Sequence, residues 1–257
     1  MIKPILETRS ATPLGRWLTT VLGSALMVAA ALSVVGIVWS TILTLEFLGW
    51  VVLILGLELL VVGSVIERTH RRIGHQRITL ASWITIARAG TLAVLVGFLV
   101  VGPTTDLMAW VPSILFGIAA VLDGVDGAIA RATESVTELG GRLDTEVDAL
   151  TTLVGASAVV TAGTAPIAFI AVGVARYAFA LGLWWRRRRG QPVRELPPNR
   201  ARAPLSAVTL LTIWIAFLPV VDEHVSMVLT AAVAIPFLLN FAIDWVLVTR
   251  RSGRRTG

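Results

Sequence analysis

Four aspartates set the chemical reading of this chain. Asp123 and Asp126 are followed by Gly127, Ala130 and Arg131; then come Gly140, Asp144 and Asp148. In a helix, residues three or four apart share a face, so Asp123 pairs with Asp126 and Asp144 with Asp148. A short connection makes the two helices antiparallel neighbours, and the four carboxylates then converge. Uncompensated, they would repel one another and be costly to desolvate. A divalent cation offsets that cost, and a donor set made only of oxygen selects a hard ion, Mg²⁺ or Mn²⁺. Four carboxylates suffice for two such ions. Gly124, Gly127, Ala128 and Ala130 leave one helix face almost bare of side chains, so that a ligand can approach the backbone. Arg131 adds a fork suited to phosphate. The residues point to metal-assisted phosphoryl chemistry.

The elements that position these residues are membrane helices. The chain has 257 residues, 56% of them hydrophobic and only 15% charged, with a mean hydropathy of +0.82. A soluble domain carries about a quarter charged residues, so both a soluble globular protein and a disordered one are excluded. There is no cysteine, which excludes disulfides, thiolate metal sites and cysteine nucleophiles. His70, His75 and His224 are scattered and do not suggest a metal site. Apolar stretches at 17–39, 47–66, 79–102, 107–130, 141–162, 166–185, 204–221 and 225–248 read as eight helical spans, giving an all-α polytopic membrane protein. The first exceeds the apolar core of a signal peptide and is read as a retained helix.

Charge supports that count. With eight spans, one side receives Lys3, Arg9 and Arg16, then Arg68, Arg71, Arg72 and Arg77, then Arg131 and Arg142. It also receives the Arg186–Arg202 loop and the tail with Arg250, Arg251, Arg254 and Arg255. The opposite loops hold Glu46, Asp106, Asp222 and Glu223, without lysine or arginine. This asymmetry places both termini, and the aspartates, on the cytoplasmic side of the cytoplasmic membrane. It also accounts for the net charge of +6 without a nucleic-acid partner. The segment 67–78 reads as a basic juxtamembrane stretch able to lie along the membrane surface.

The pattern D-x2-D-G-x2-A-R-x8-G-x3-D-x3-D is matched at all eight specified positions from Asp123 to Asp148. The chain thereby resembles the CDP-alcohol phosphatidyltransferase family. Thr79-Leu80, Thr85 and Arg88 are similar to the opening of that family's first core helix. The resemblance implies a six-helix catalytic membrane domain over 79–248. Residues 1–66 are then a two-helix N-terminal extension, 67–78 a connecting segment and 249–257 a basic tail. It implies transfer of a substituted phosphate from a CDP-linked lipid donor, such as CDP-diacylglycerol, to a small alcohol, with release of CMP. On this resemblance Asp123, Asp126 and Asp144 hold the metals. Asp148 contacts metal and serves as base on the acceptor hydroxyl. Asp123, Gly127, Ala130, Arg131 and Gly140 line the cytidine diphosphate site. The resemblance also implies a homodimer. Relatives that use glycerol 3-phosphate often carry a lysine-threonine run where this chain has Arg202-Ala203-Pro204-Leu205-Ser206, so the acceptor stays open between glycerol 3-phosphate, an inositol phosphate or inositol, and other alcohols.

Three charges inside or beside apolar spans need partners. Glu58 is expected to be protonated, or else paired with Arg88 or Arg176. Arg176 is expected either to bind an acceptor phosphate or to pair with Asp244 or Glu58. Arg202 is a weaker candidate for the acceptor phosphate. A divalent-cation transporter or channel also needs intramembrane carboxylates, but it would place them along a path near the midplane. Here they cluster near helix ends, beside Gly, Ala and Arg.

Overall fold

The computed structural model describes residues 13–39, 42–74, 76–102, 104–133 and 136–249. Lys3, Arg9, His75 and the four arginines of the tail lie outside the described residues, as do the side chains of Arg16 and Arg131. Among the described residues the structure is all-helical: α1 (Pro13–Val38), α2 (Leu45–Ile73), α3 (Leu80–Val101), α4 (Val111–Ala132), α5 (Glu138–Thr161), α6 (Ile170–Arg188), α7 (Arg202–Ala216) and α8 (Glu223–Thr249).

These eight helices fall on the eight stretches read from the sequence. Six of them, α1 to α4, α6 and α8, are long and apolar enough to cross a membrane. α5 is long enough, but Arg142, Asp144, Glu146 and Asp148 crowd its first half. α7 has 15 residues, about 22 Å at the helical rise, short of the roughly 30 Å hydrocarbon core. The basic stretch after span two is no separate surface helix up to Ile73, because α2 runs on without a break and ends at Gly74, whose φ is 80°. Glu67 and Arg71 pair at 2.6 Å, one turn apart, along that extension.

The chain divides into two compact units, residues 1–148 and 149–257. In the first, α3 is the most enclosed helix. Thr79 caps it by accepting a hydrogen bond from Ser82 N at 3.3 Å. At its far end Phe47 and Val51 of α2 close on Gly97, where an added Cβ would stand 2.8 Å from Val51 Cγ2 and 2.9 Å from Phe47 Cε2. Phe47 also meets Phe98 edge-on at 5.2 Å. Lipid is as apolar as these side chains, so close packing rather than the hydrophobic effect holds such helices together. Nearer the other end, Val62, Val65 and Ile66 of α2 pack with Leu139 and Leu143 of α5. That cluster fixes the charged half of α5.

In the second unit, Gly173 of α6 lies against α5, where a Cβ would come 3.0 Å from Leu153 Cα. Gly182 sits under the Trp245 ring of α8. Arg202 grips Asp244 through both carboxylate oxygens at 2.9 Å each. Its Nη2 also reaches the Pro197 carbonyl at 3.0 Å.

Candidate active site

The aspartates converge as their spacing requires. Asp123 and Asp126 lie in the second half of α4, and Asp144 and Asp148 in the first half of α5. Carboxylate oxygens of Asp123, Asp126 and Asp144 all lie within 4.8 Å of one another. Asp126 is buried and accepts a hydrogen bond from Thr85 Oγ1 at 2.7 Å. Asp123, Asp144 and Asp148 are partly exposed, at 36%, 41% and 49% of their side-chain surface, so the cluster opens outward.

Arg88 joins the set from α3. Its side chain is only 1% exposed. Nη1 donates to Asp123 Oδ1. Nη2 donates to Asp144 Oδ1 and to Asp148 Oδ1, each at 2.9 Å. One guanidinium against four carboxylates leaves an excess of negative charge at one place. The donors are all hard oxygens, three are close enough to share one ion, and Asp126 is oriented by a neighbouring hydroxyl. Mg²⁺ or Mn²⁺ fits such a site.

Beside the carboxylates is a cavity of about 250 Å³. Asp126, Gly127 and Ala130 line it from α4, Gly140 and Asp144 from α5, and Thr79, Ser82 and Thr85 from the start of α3. Gly140 is there because space is short: an added Cβ would stand 3.1 Å from Thr137 Oγ1 and 3.4 Å from Ser82 Oγ. Thr137 also caps α5, accepting from Gly140 N at 3.0 Å. The structure therefore brings Asp126, Gly127, Ala130, Gly140 and Asp144 to one cavity. Arg142 pairs with Glu138 one turn away, as a helix-end charge does.

Residues 78–243 match the CDP-alcohol phosphatidyltransferase family. The chain belongs to that family. No curated protein and no solved structure matches it. As a CDP-alcohol phosphatidyltransferase it is a transferase whose family moves a phosphatidyl group from a CDP-alcohol. Its apolar helices are those of an integral membrane protein.

One expected pairing is corrected. Glu58 is buried, and neither of its carboxyl oxygens has a hydrogen-bond partner among the described residues. It is bonded neither to Arg88 nor to Arg176. Arg88 instead serves the aspartates. Both oxygens of Asp244 are taken by Arg202, with Asn240 Nδ2 3.4 Å from Oδ2. Arg176 is half-buried in α6 and engaged within the protein. Sequence reasoning missed Arg88 and Thr85 as partners of the acidic cluster. The available signal was a charge inside an apolar span, which had to find a countercharge.

Proposed function

We propose that this phosphatidyltransferase moves a phosphatidyl group from CDP-diacylglycerol, or a similar CDP-linked lipid, to a small alcohol and releases CMP. The observation that carries the reading is the meeting of three carboxylates from α4 and α5 within 4.8 Å, two of which, Asp126 and Asp144, also line the cavity with Gly127, Ala130 and Gly140.

Asp123, Asp126 and Asp144 would hold one or two Mg²⁺ or Mn²⁺ ions. Bound there, the metal supplies positive charge to the diphosphate and to the departing CMP oxygen. The remaining work belongs to the chain. Gly127, Ala130 and Gly140 admit the cytidine diphosphate close to the backbone, and Arg131 pairs with its phosphate. Asp148, held by Arg88, takes the proton from the acceptor hydroxyl. The acceptor oxygen then bonds to the phosphorus that bears the lipid, and the bond from that phosphorus to the CMP oxygen breaks.

Arg176 and Arg202 are proposed contacts for a phosphate on the acceptor, glycerol 3-phosphate or an inositol phosphate. The active site is proposed to face the cytoplasm, and the enzyme to act as a homodimer.

The test is CMP release from labelled CDP-diacylglycerol by the purified protein, with Mg²⁺ or Mn²⁺ and a panel of acceptors. Activity with at least one alcohol, abolished by EDTA, is expected. Metal flux into liposomes without CMP release would favour a transporter instead.

A further inference from the structure

The proposed transfer step makes no use of the arginines that close α6. The helix ends Trp184-Trp185-Arg186-Arg187-Arg188. Gly190, at φ 66°, terminates it by letting Gln191 N reach the Arg186 carbonyl at 3.0 Å. The guanidiniums then divide into two kinds. Arg186 turns inward, with Nη2 3.4 Å from the Thr249 carbonyl at the end of α8 and 3.5 Å from that of Pro192. There it complements the negative end of α8.

Arg188 and Arg189 instead face outward, each braced on the tryptophan one turn back. Their guanidinium carbons lie 4.3 Å from the Trp184 ring centre and 4.5 Å from that of Trp185. Stacking occupies the face of a guanidinium and leaves its in-plane N–H edge free for phosphate oxygens. Both rings are exposed, and so is Leu181 at 63%, one turn further into the span. Tryptophan at the end of an apolar helix sits at headgroup level. Between Trp184 and Arg202 the only acid in the sequence is Glu195.

We propose that this end of α6 is a docking site for anionic phospholipid headgroups of the surrounding leaflet. Arg188 and Arg189 hold the lipid phosphate while an acyl chain lies along Trp184 and Leu181. A zwitterionic lipid brings its own ammonium to the same phosphate and loses the charge match. Each basic residue near the headgroups contributes about fivefold in relative affinity.

Native mass spectrometry of the full chain in detergent, titrated with phosphatidylglycerol or phosphatidylcholine, tests this. The wild type is expected to bind phosphatidylglycerol in preference, and R188Q/R189Q to reduce that preference about tenfold or more. W184L/W185L leaves the charge unchanged and is expected to cost several-fold through loss of the brace. Should the glutamine variant not fold, R188K/R189K keeps the charge and loses the fork, and is expected to weaken phosphatidylglycerol binding several-fold. An unchanged preference in R188Q/R189Q, or unchanged binding in R188K/R189K where that variant is needed, overturns the site. Displacement of the lipid by millimolar inorganic phosphate overturns the lipid as occupant.

Discussion

Arg88 Nη2 lies 2.9 Å from Asp148 Oδ1 and the same distance from Asp144 Oδ1. A cation that is 1% exposed thus ties the proposed base to a proposed metal ligand. Removing one partner from a fully buried ion pair costs about 3–5 kcal/mol; the cost here is expected to be smaller, because Asp123, Asp144 and Asp148 are partly exposed. Arg88→Gln is therefore expected to lower the melting temperature in EDTA. Added Mn²⁺ should recover part of the loss, since the ion neutralises the same carboxylates. Equal losses with and without metal would show that Arg88 acts only in packing.

Asp148 stands outside the trio of carboxylates that meet within 4.8 Å. Asp148→Asn should accordingly weaken Mn²⁺ binding less than loss of a member of that trio, while slowing CMP release about 10²–10⁴-fold, the usual range for a lost general base. Asp126→Asn should weaken Mn²⁺ binding itself. Electron paramagnetic resonance of bound Mn²⁺, read beside turnover, separates the two.

Thr85 orients Asp126 through the 2.7 Å hydrogen bond to Oδ2. Valine keeps the shape and removes the donor. Losing such a partner costs about 10–100-fold in metal affinity or activity. Thr85→Val is expected to fall in that range for Mn²⁺ affinity with little change in melting temperature.

Gly140 borders the cavity, and even a methyl group there meets Thr137 and Ser82 oxygens at 3.1 and 3.4 Å. Gly140→Val should raise KM for the CDP-linked donor far more than KM for the alcohol. Steady-state kinetics with each substrate varied in turn measures the difference.

The Arg202–Asp244 pair offers a stability cycle that is read by unfolding alone. Asp244 is 4% exposed and would be left buried and charged by Arg202→Gln, at about 3–5 kcal/mol. Adding Asp244→Asn removes the stranded charge, so the double variant should be more stable than Arg202→Gln alone. Thermal unfolding of all four proteins checks this.

The helices were legible because apolar runs of bilayer length leave few alternatives. The acidic pairs were legible because helical periodicity alone puts Asp123 beside Asp126 and Asp144 beside Asp148. Gly127, Ala130 and Gly140 read as a bare surface, and they do line the cavity. The partners of lone charges were not legible. Arg88 meets aspartates 35 to 60 residues away, and only helix packing decides which charge reaches which. The same holds for Asp244, where the first residue of α7 supplies a bidentate contact. Nor does local pattern say that α2 continues past the apolar stretch to Ile73, since a charged helical turn and a surface segment look alike in composition.

The charged half of α5 has a consequence for biogenesis. Each acidic or arginine side chain at the centre of a lone inserting helix is disfavoured by about 2.5–3.5 kcal/mol, and this one carries Arg142, Asp144, Glu146 and Asp148 in close succession. Such a segment does not partition from the translocon into lipid unaided. α3, with Arg88 and Thr85, and α4, with Asp123 and Asp126, are made first, so the nascent chain already holds the companions α5 requires when it emerges. The order of synthesis would thus itself help a helix too polar for the bilayer to be received among its neighbours.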